Sequence, residues 1–295
     1  MFLREPVPPP LLKRRLIFIT GKGGVGKSTI ALALGLRAAR SGLRTIVADL
    51  NGEGGDQERC FAPDLYRLSI DPQSAMEEYL TVKVGGAAGQ LLGQSRLFGA
   101  FAMATPGMRE LLSLGKVWEL SQTERRTPGA EPYDMTIVDA PASGHGVALL
   151  RTPRTFAEIA RVGPVANQAN AIAQTLLDRE FTGYVAVTTA EELAVDETLE
   201  LHEALQRERL NLDAVVINAR HEERFDESDI AALGLHAQAE TVRLALAAHA
   251  RVIAERERTR RLETRFGDRI QSLPFLFTPE LDRPQLEQLA QELRL

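Results

Sequence analysis

The chain has 295 residues, 44% of them hydrophobic, enough to bury the core of one large α/β domain or of a domain with an elaborate insertion. A net charge of −5 gives no general attraction to nucleic acid or anionic lipid, so no nucleic-acid partner is expected. Cys60 is the only cysteine, which excludes intramolecular disulfides and cysteine-built metal clusters within one chain; with no apolar run of about 18 residues to cross a membrane, a cytoplasmic protein is expected.

In chain order, Pro6, Pro8, Pro9 and Pro10 fall in a start too short of apolar residues for a signal peptide, and residues 1–12 read as a mobile tail. Residues 14–19 read as a short buried strand and residues 30–40 as a helix. Between them, residues 20–29 (TGKGGVGKST) fit the phosphate-loop pattern G-x-x-x-x-G-K-[ST]. Gly21, Gly23, Gly24 and Gly26 let the backbone wrap around an anion, so that the N–H groups of the loop, Val25 among them, turn inward. Lys27 would reach the β- and γ-phosphates of a nucleotide, the Ser28 hydroxyl would ligate Mg²⁺, and Thr29 completes the run into the helix. A strand, a glycine loop and a helix N-terminus in this order make an anion site.

Further short apolar runs at 45–48, 68–70, 136–138, 184–187, 214–217 and 274–277 read as strands. Helical patterns span 153–177 and 194–207, and residues 284–295 read as a terminal helix docked on the core. This alternation predicts an α/β fold: a mostly parallel P-loop sheet covered by helices on both faces. Two spacers, 71–132 and 222–268, exceed what a crossover needs and are expected to be helical insertions that could pack together as one subdomain, within a single domain spanning 13–295.

A second motif lies at 136–141, where Asp139 ends an apolar strand as a Walker B carboxylate does when it holds Mg²⁺. Asp49 ends the strand after the loop helix, where it could orient or deprotonate an attacking water; an ordinary turn acid or helix cap is the alternative. Lys22 need not contact its own nucleotide, and across a two-fold axis it could neutralise charge on a partner's phosphates. The five histidines form no ligand spacing, and His221 reads equally as a plain loop residue.

The loop at 21–29 resembles the deviant Walker A of the septum-site, plasmid-partition, nitrogenase-iron-protein and arsenite-ATPase families. The segment 139–145 (DAPASGH), followed by Leu149 and Leu150, is similar to the D-T-A-P-T-G-H segment and leucine pair shared by arsenite ATPases and the targeting ATPases for tail-anchored proteins. Asp139, Gly144 and His145 match it directly. Residues 189–193 with Glu197 and Thr198 resemble a later segment of that family, and 215–218 and 273–276 resemble its adenine-pocket strands.

The resemblance implies a dimeric ATPase that uses ATP and Mg²⁺. Lys22 is then the lysine that crosses between monomers, Lys27 and Ser28 contact phosphate and Mg²⁺, and Asp49 positions water. Asp139 is Walker B, Gly144 and His145 lie in switch II, and Asn218 and Pro274 border adenine. In this reading the dimer is either homomeric or paired with a related subunit, and the partner is a client or receptor such as a tail-anchored or other membrane protein. An anion-pump ATPase subunit and a nucleotide-gated scaffold with little turnover stay open as alternatives. The chain departs from the family at 48–52 (ADLNG, where T-D-P-A-H is usual), in lacking the paired cysteines that clamp zinc across dimers of the targeting ATPases, and in lacking the cysteine set of arsenite-activated pumps, whose thiolates soft As(III) favours.

Overall fold

The computed structural model describes residues 10–52, 57–84, 104–127, 129–234, 239–278 and 280–295. The tail up to residue 9 and the insertion residues Leu91, Leu92, Leu97, Phe98, Phe101 and Met103 lie outside them. Among the described residues, eight strands form one sheet: β1 (Leu16–Thr20), β2 (Thr45–Asp49), β3 (Arg59–Ala62), β4 (Leu65–Ser69), β5 (Met135–Asp139), β6 (Thr182–Thr188), β7 (Ala214–Arg220) and β8 (Ile270–Pro274). Their order is β3-β4-β2-β5-β1-β6-β7-β8. Only β3, paired with β4, runs antiparallel to its neighbour.

The central strands are apolar at successive positions because both faces are covered. Along β1, Leu16 and Phe18 point into one layer, and Ile17 and Ile19 into the other. The second layer holds α1 (Lys27–Arg40) and the terminal α9 (Arg283–Glu292), which pack on each other through residues such as Leu34 and Leu289. The first layer holds α3 (Met108–Leu120), α4 (Ser143–Ala160), α5 (Pro164–Leu177), α6 (Glu192–Arg207) and the end of α8 (Glu240–Phe266). Leu114, Leu149, Ile172, Leu205 and Phe266 are their buried contributions. Two further helices among the described residues are α2 (Pro72–Val84), against α3, and α7 (Glu227–Gly234), against α8. Among the described residues, α2 of the first spacer packs on α3, which packs on α4 and α5, while α8 of the second packs on α6, β7 and β8.

Three sequence expectations shift. The helix read at 153–177 is two helices, because Arg161 and Gly163 take positive φ and Pro164 opens α5. Pro153, taken as a start, is instead buried inside α4. The last strand ends where 274–277 was expected to begin: β8 is an edge strand with a polar face, so its Gln271 and Ser272 broke the apolar pattern. The exposed edge strand β3 also escaped the pattern, since only Ala62 is buried in it.

Candidate active site

The parallel strands β1, β2, β5 and β7 all end on one side of the sheet, and β1 lies between β5 and β6 where the chain order reverses. Ligands of open α/β sheets bind outside such strand ends. The loop from Gly21 to Gly26 leaves β1 there and enters α1 at Lys27. Gly26 has φ +94°, a left-handed conformation that disfavours a Cβ, and a Cβ there would also strike the Asn218 side-chain nitrogen. A Cβ on Gly21 would collide with the Val187 carbonyl of β6. Gly23 and Gly24 are exposed at the turn, Val25 is buried, and Thr29 is half-buried in the first turn of α1. The helix begins with no side-chain cap and no acidic residue in its first turn. Its first N–H groups and positive dipole end are therefore left for an anion.

Lys27 folds back over the loop and donates from Nζ to the Lys22 carbonyl at 3.1 Å. Burial lowers its pKa, and the nearby Asp139 partly opposes that. Ser28 donates its hydroxyl to Asp139 Oδ2. Asp139 is 3% exposed, and its second oxygen, Oδ1, is buried without a hydrogen-bond partner. Asp49 and Asp139 stand in register at the last positions of β2 and β5. Burial raises the Asp139 pKa most; Ser28 works against it, the like charge of Asp49 adds to it, and Lys27 and Arg67 pull it down. A hydroxyl, a buried carboxylate with one orphan oxygen and a second carboxylate on the next strand form a hard oxygen donor set that fits Mg²⁺. Asp49 Oδ1 accepts the Asn51 N–H at 2.8 Å, so the departing ADLNG segment turns back on its own acid.

Lys22 makes its ion pair with a residue outside the loop. It is held at 3.1 Å by Glu197 of α6, whose other oxygen accepts the Ser143 hydroxyl at 3.1 Å. Ser143 opens α4 and also donates its N–H to the Gly21 carbonyl. Glu197 therefore ties the loop to the helix that follows Asp139. Sequence reasoning noted Glu197 only within a family segment, because its two partners lie far from it along the chain. Asn218, at the end of β7, donates Nδ2 to the Val25 carbonyl at 2.9 Å, which brings it to the loop. Pro274 ends β8 opposite Arg220 of β7, on the same side of the sheet. His145 and Asn51 line an open cleft of about 1330 Å³ that continues between α3 and α4.

The chain thus gathers Lys22, Lys27, Ser28, Asp49, Asp139 and Asn218 around the loop at one end of the parallel strands, with the geometry of a phosphate cradle. The family described as anion-transporting ATPase matches residues 14–162 and 157–245. Over 246 residues the chain is 32% identical to the protein named ATPase BagA of Mycobacterium tuberculosis, covering 76% of this chain and 70% of that protein. It is 28% identical over 258 residues to the ATPase GET3 of Candida glabrata, covering 72% of this chain and 73% of that one. The corresponding ATPase GET3 of Kluyveromyces lactis is 26% identical over 271 residues, 73% of this chain and 74% of its own.

Proposed function

Because this chain belongs to the anion-transporting ATPase family and is an ATP hydrolase, we propose that it binds Mg-ATP at the glycine loop, closes as a dimer, and uses hydrolysis to control a protein client. The orphan Asp139 Oδ1 beside Ser28 at the mouth of the loop carries this reading, since a buried unpaired carboxylate oxygen is costly unless a ligand satisfies it. Ser28 and Asp139 would hold Mg²⁺, which when bound screens the negative charge of the phosphate oxygens.

The chain's own groups divide the rest of the work. The loop N–H groups and the start of α1 hold the phosphates. Lys27, released from the Lys22 carbonyl, follows the charge that builds up as the bond to the γ-phosphorus breaks. Asp49 orients the attacking water and accepts its proton as the water oxygen bonds to the γ-phosphorus and ADP departs. Asn218 and Pro274 border the base.

Lys22, bound to Glu197 within its own protomer, would leave that carboxylate to neutralise phosphate charge in a second copy or a related subunit. Ser143 shares Glu197, so that departure would loosen the start of α4 and pass the nucleotide state to the helices packed on it. The client's class, a tail-anchored or other membrane protein, comes by analogy alone, from the resemblance of residues 139–145 to the targeting ATPases. No helix among the described residues is long and apolar enough to cross a membrane, so a membrane client would be met by a surface of this fold.

Light scattering on the full chain with a non-hydrolysable ATP analogue and magnesium tests the closure. Dimers should form with the analogue and not with ADP, and Lys22→Ala should weaken that response. A mass that ignores the nucleotide would remove the dimer from the account.

A further inference from the structure

The phosphate chemistry leaves a buried charged cluster at the exit of β7 unused. At its exit β7 breaks register with β8 between Ile217 and Arg220, and Ala219 takes φ +56°, a conformation disfavoured for a residue with a Cβ. Strain of this kind persists only where surrounding contacts over-determine it, and it gathers at functional sites. On one side of the turn, Asn218 reaches the loop through the Val25 carbonyl. On the other, Arg220 and His221 meet Glu255 of α8.

Glu255 is 7% exposed. Its Oε2 accepts the His221 backbone N–H at 3.1 Å and lies 3.9 Å from Arg220 Nε, while Oε1 lies 2.7 Å from His221 Nδ1. An ionised carboxylate only accepts, so it selects the tautomer that carries its proton on Nδ1. The imidazole thus fixed lies flat against Phe275, with ring centres 4.8 Å apart and planes 14° from parallel. Phe275, next to Pro274, donates its N–H to the Arg220 carbonyl at 2.8 Å. A single buried carboxylate therefore joins α8 to the exits of both β7 and β8.

We propose that Glu255 is a positioning residue for the nucleotide base: by fixing His221 and Arg220 it holds Asn218 and Pro274 where a purine ring is received, so that affinity for the base depends on α8 while affinity for the phosphates does not. This rests on the reading above that Asn218 and Pro274 border the base. It also places one of the two helical spacers in direct contact with nucleotide selection, apart from the loop and its lysines.

The test compares ATP with inorganic tripolyphosphate, which has the phosphates and no base. Both are titrated with magnesium into the full chain as wild type, Glu255→Ala, Glu255→Gln and Asn218→Ala, and steady-state ATPase is measured on each. Glu255→Ala should weaken ATP by about tenfold and raise KM similarly, with tripolyphosphate affinity and kcat within about twofold. Glu255→Gln retains an acceptor for the His221 N–H, so its loss should be smaller, about threefold, and it reports even if the alanine variant folds poorly. Equal weakening of both ligands in Glu255→Gln means general damage and overturns the proposal. Weaker ATP binding in Asn218→Ala with none in either Glu255 variant overturns it while the base pocket stands. Unchanged ATP binding in all three variants overturns the base pocket, and this inference with it.

Discussion

The proposed phosphate end and the proposed base end of the site are built by opposite routes. Residues 20–29 are contiguous; positive φ at Gly21, Gly24 and Gly26, followed at once by a helix, largely decides their shape locally. The base end instead collects Asn218 from β7, Pro274 and Phe275 from the exit of β8, and Glu255 from α8. Its link to the loop, Asn218 to Val25, spans 193 positions of sequence. A locally determined cradle should tolerate disturbance of remote packing, whereas an assembled pocket should register it first. The two ends touch at Gly26, where a Cβ would meet Asn218.

Damage to the phosphate end alone should have the largest effect. If the Lys27 ammonium follows the developing charge as proposed, Lys27→Ala should lower kcat for ATP hydrolysis by about a thousandfold in a coupled phosphate-release assay. Lys22→Ala should lower kcat by about a hundredfold while a single protomer binds ATP as tightly as before; equal losses in binding and turnover would place Lys22 on its own nucleotide instead. Gly26→Ala tests the junction. The strained φ and the contact with Asn218 should weaken ATP by about tenfold, and calorimetry with tripolyphosphate should show the phosphate contribution lost as well.

The smallest effect is on stability and has the opposite sign. Burial raises the Asp139 pKa, so the native chain binds more protons than the unfolded one from the ordinary aspartate value of 3.8 upward. Stability therefore falls as pH rises through that window, and the ionised carboxylate destabilises the ligand-free fold at neutral pH. Asp139→Asn should raise the melting temperature of the ligand-free protein by a few degrees, on the order of 2–4 °C, while abolishing magnesium-dependent hydrolysis. A lower melting temperature in Asp139→Asn would mean that the carboxylate is structural.

The same contrast explains what could be read from the residues alone. The mostly parallel covered sheet, the loop and the acids ending β2 and β5 are written as contiguous patterns, and the loop and both acids stand at the same ends of neighbouring parallel strands. Glu197 and Glu255 are single acids on ordinary amphipathic helices; only tertiary contact with Lys22, Ser143 and His221 sets them apart. His221 looked like a plain loop residue because its partner lies 34 positions away. The edge strands β3 and β8 were missed or displaced for a related reason: a strand with one exposed face lacks the apolar run of the buried central strands.

Titration of ATP with magnesium into the wild-type chain and into Lys27→Ala, followed by calorimetry, tests the site most directly. Saturable uptake of one nucleotide per wild-type chain, weakened at least about tenfold in a Lys27→Ala variant of unchanged melting temperature, is the result that the loop geometry requires. Equal binding by the two proteins would place the nucleotide elsewhere and contradict it.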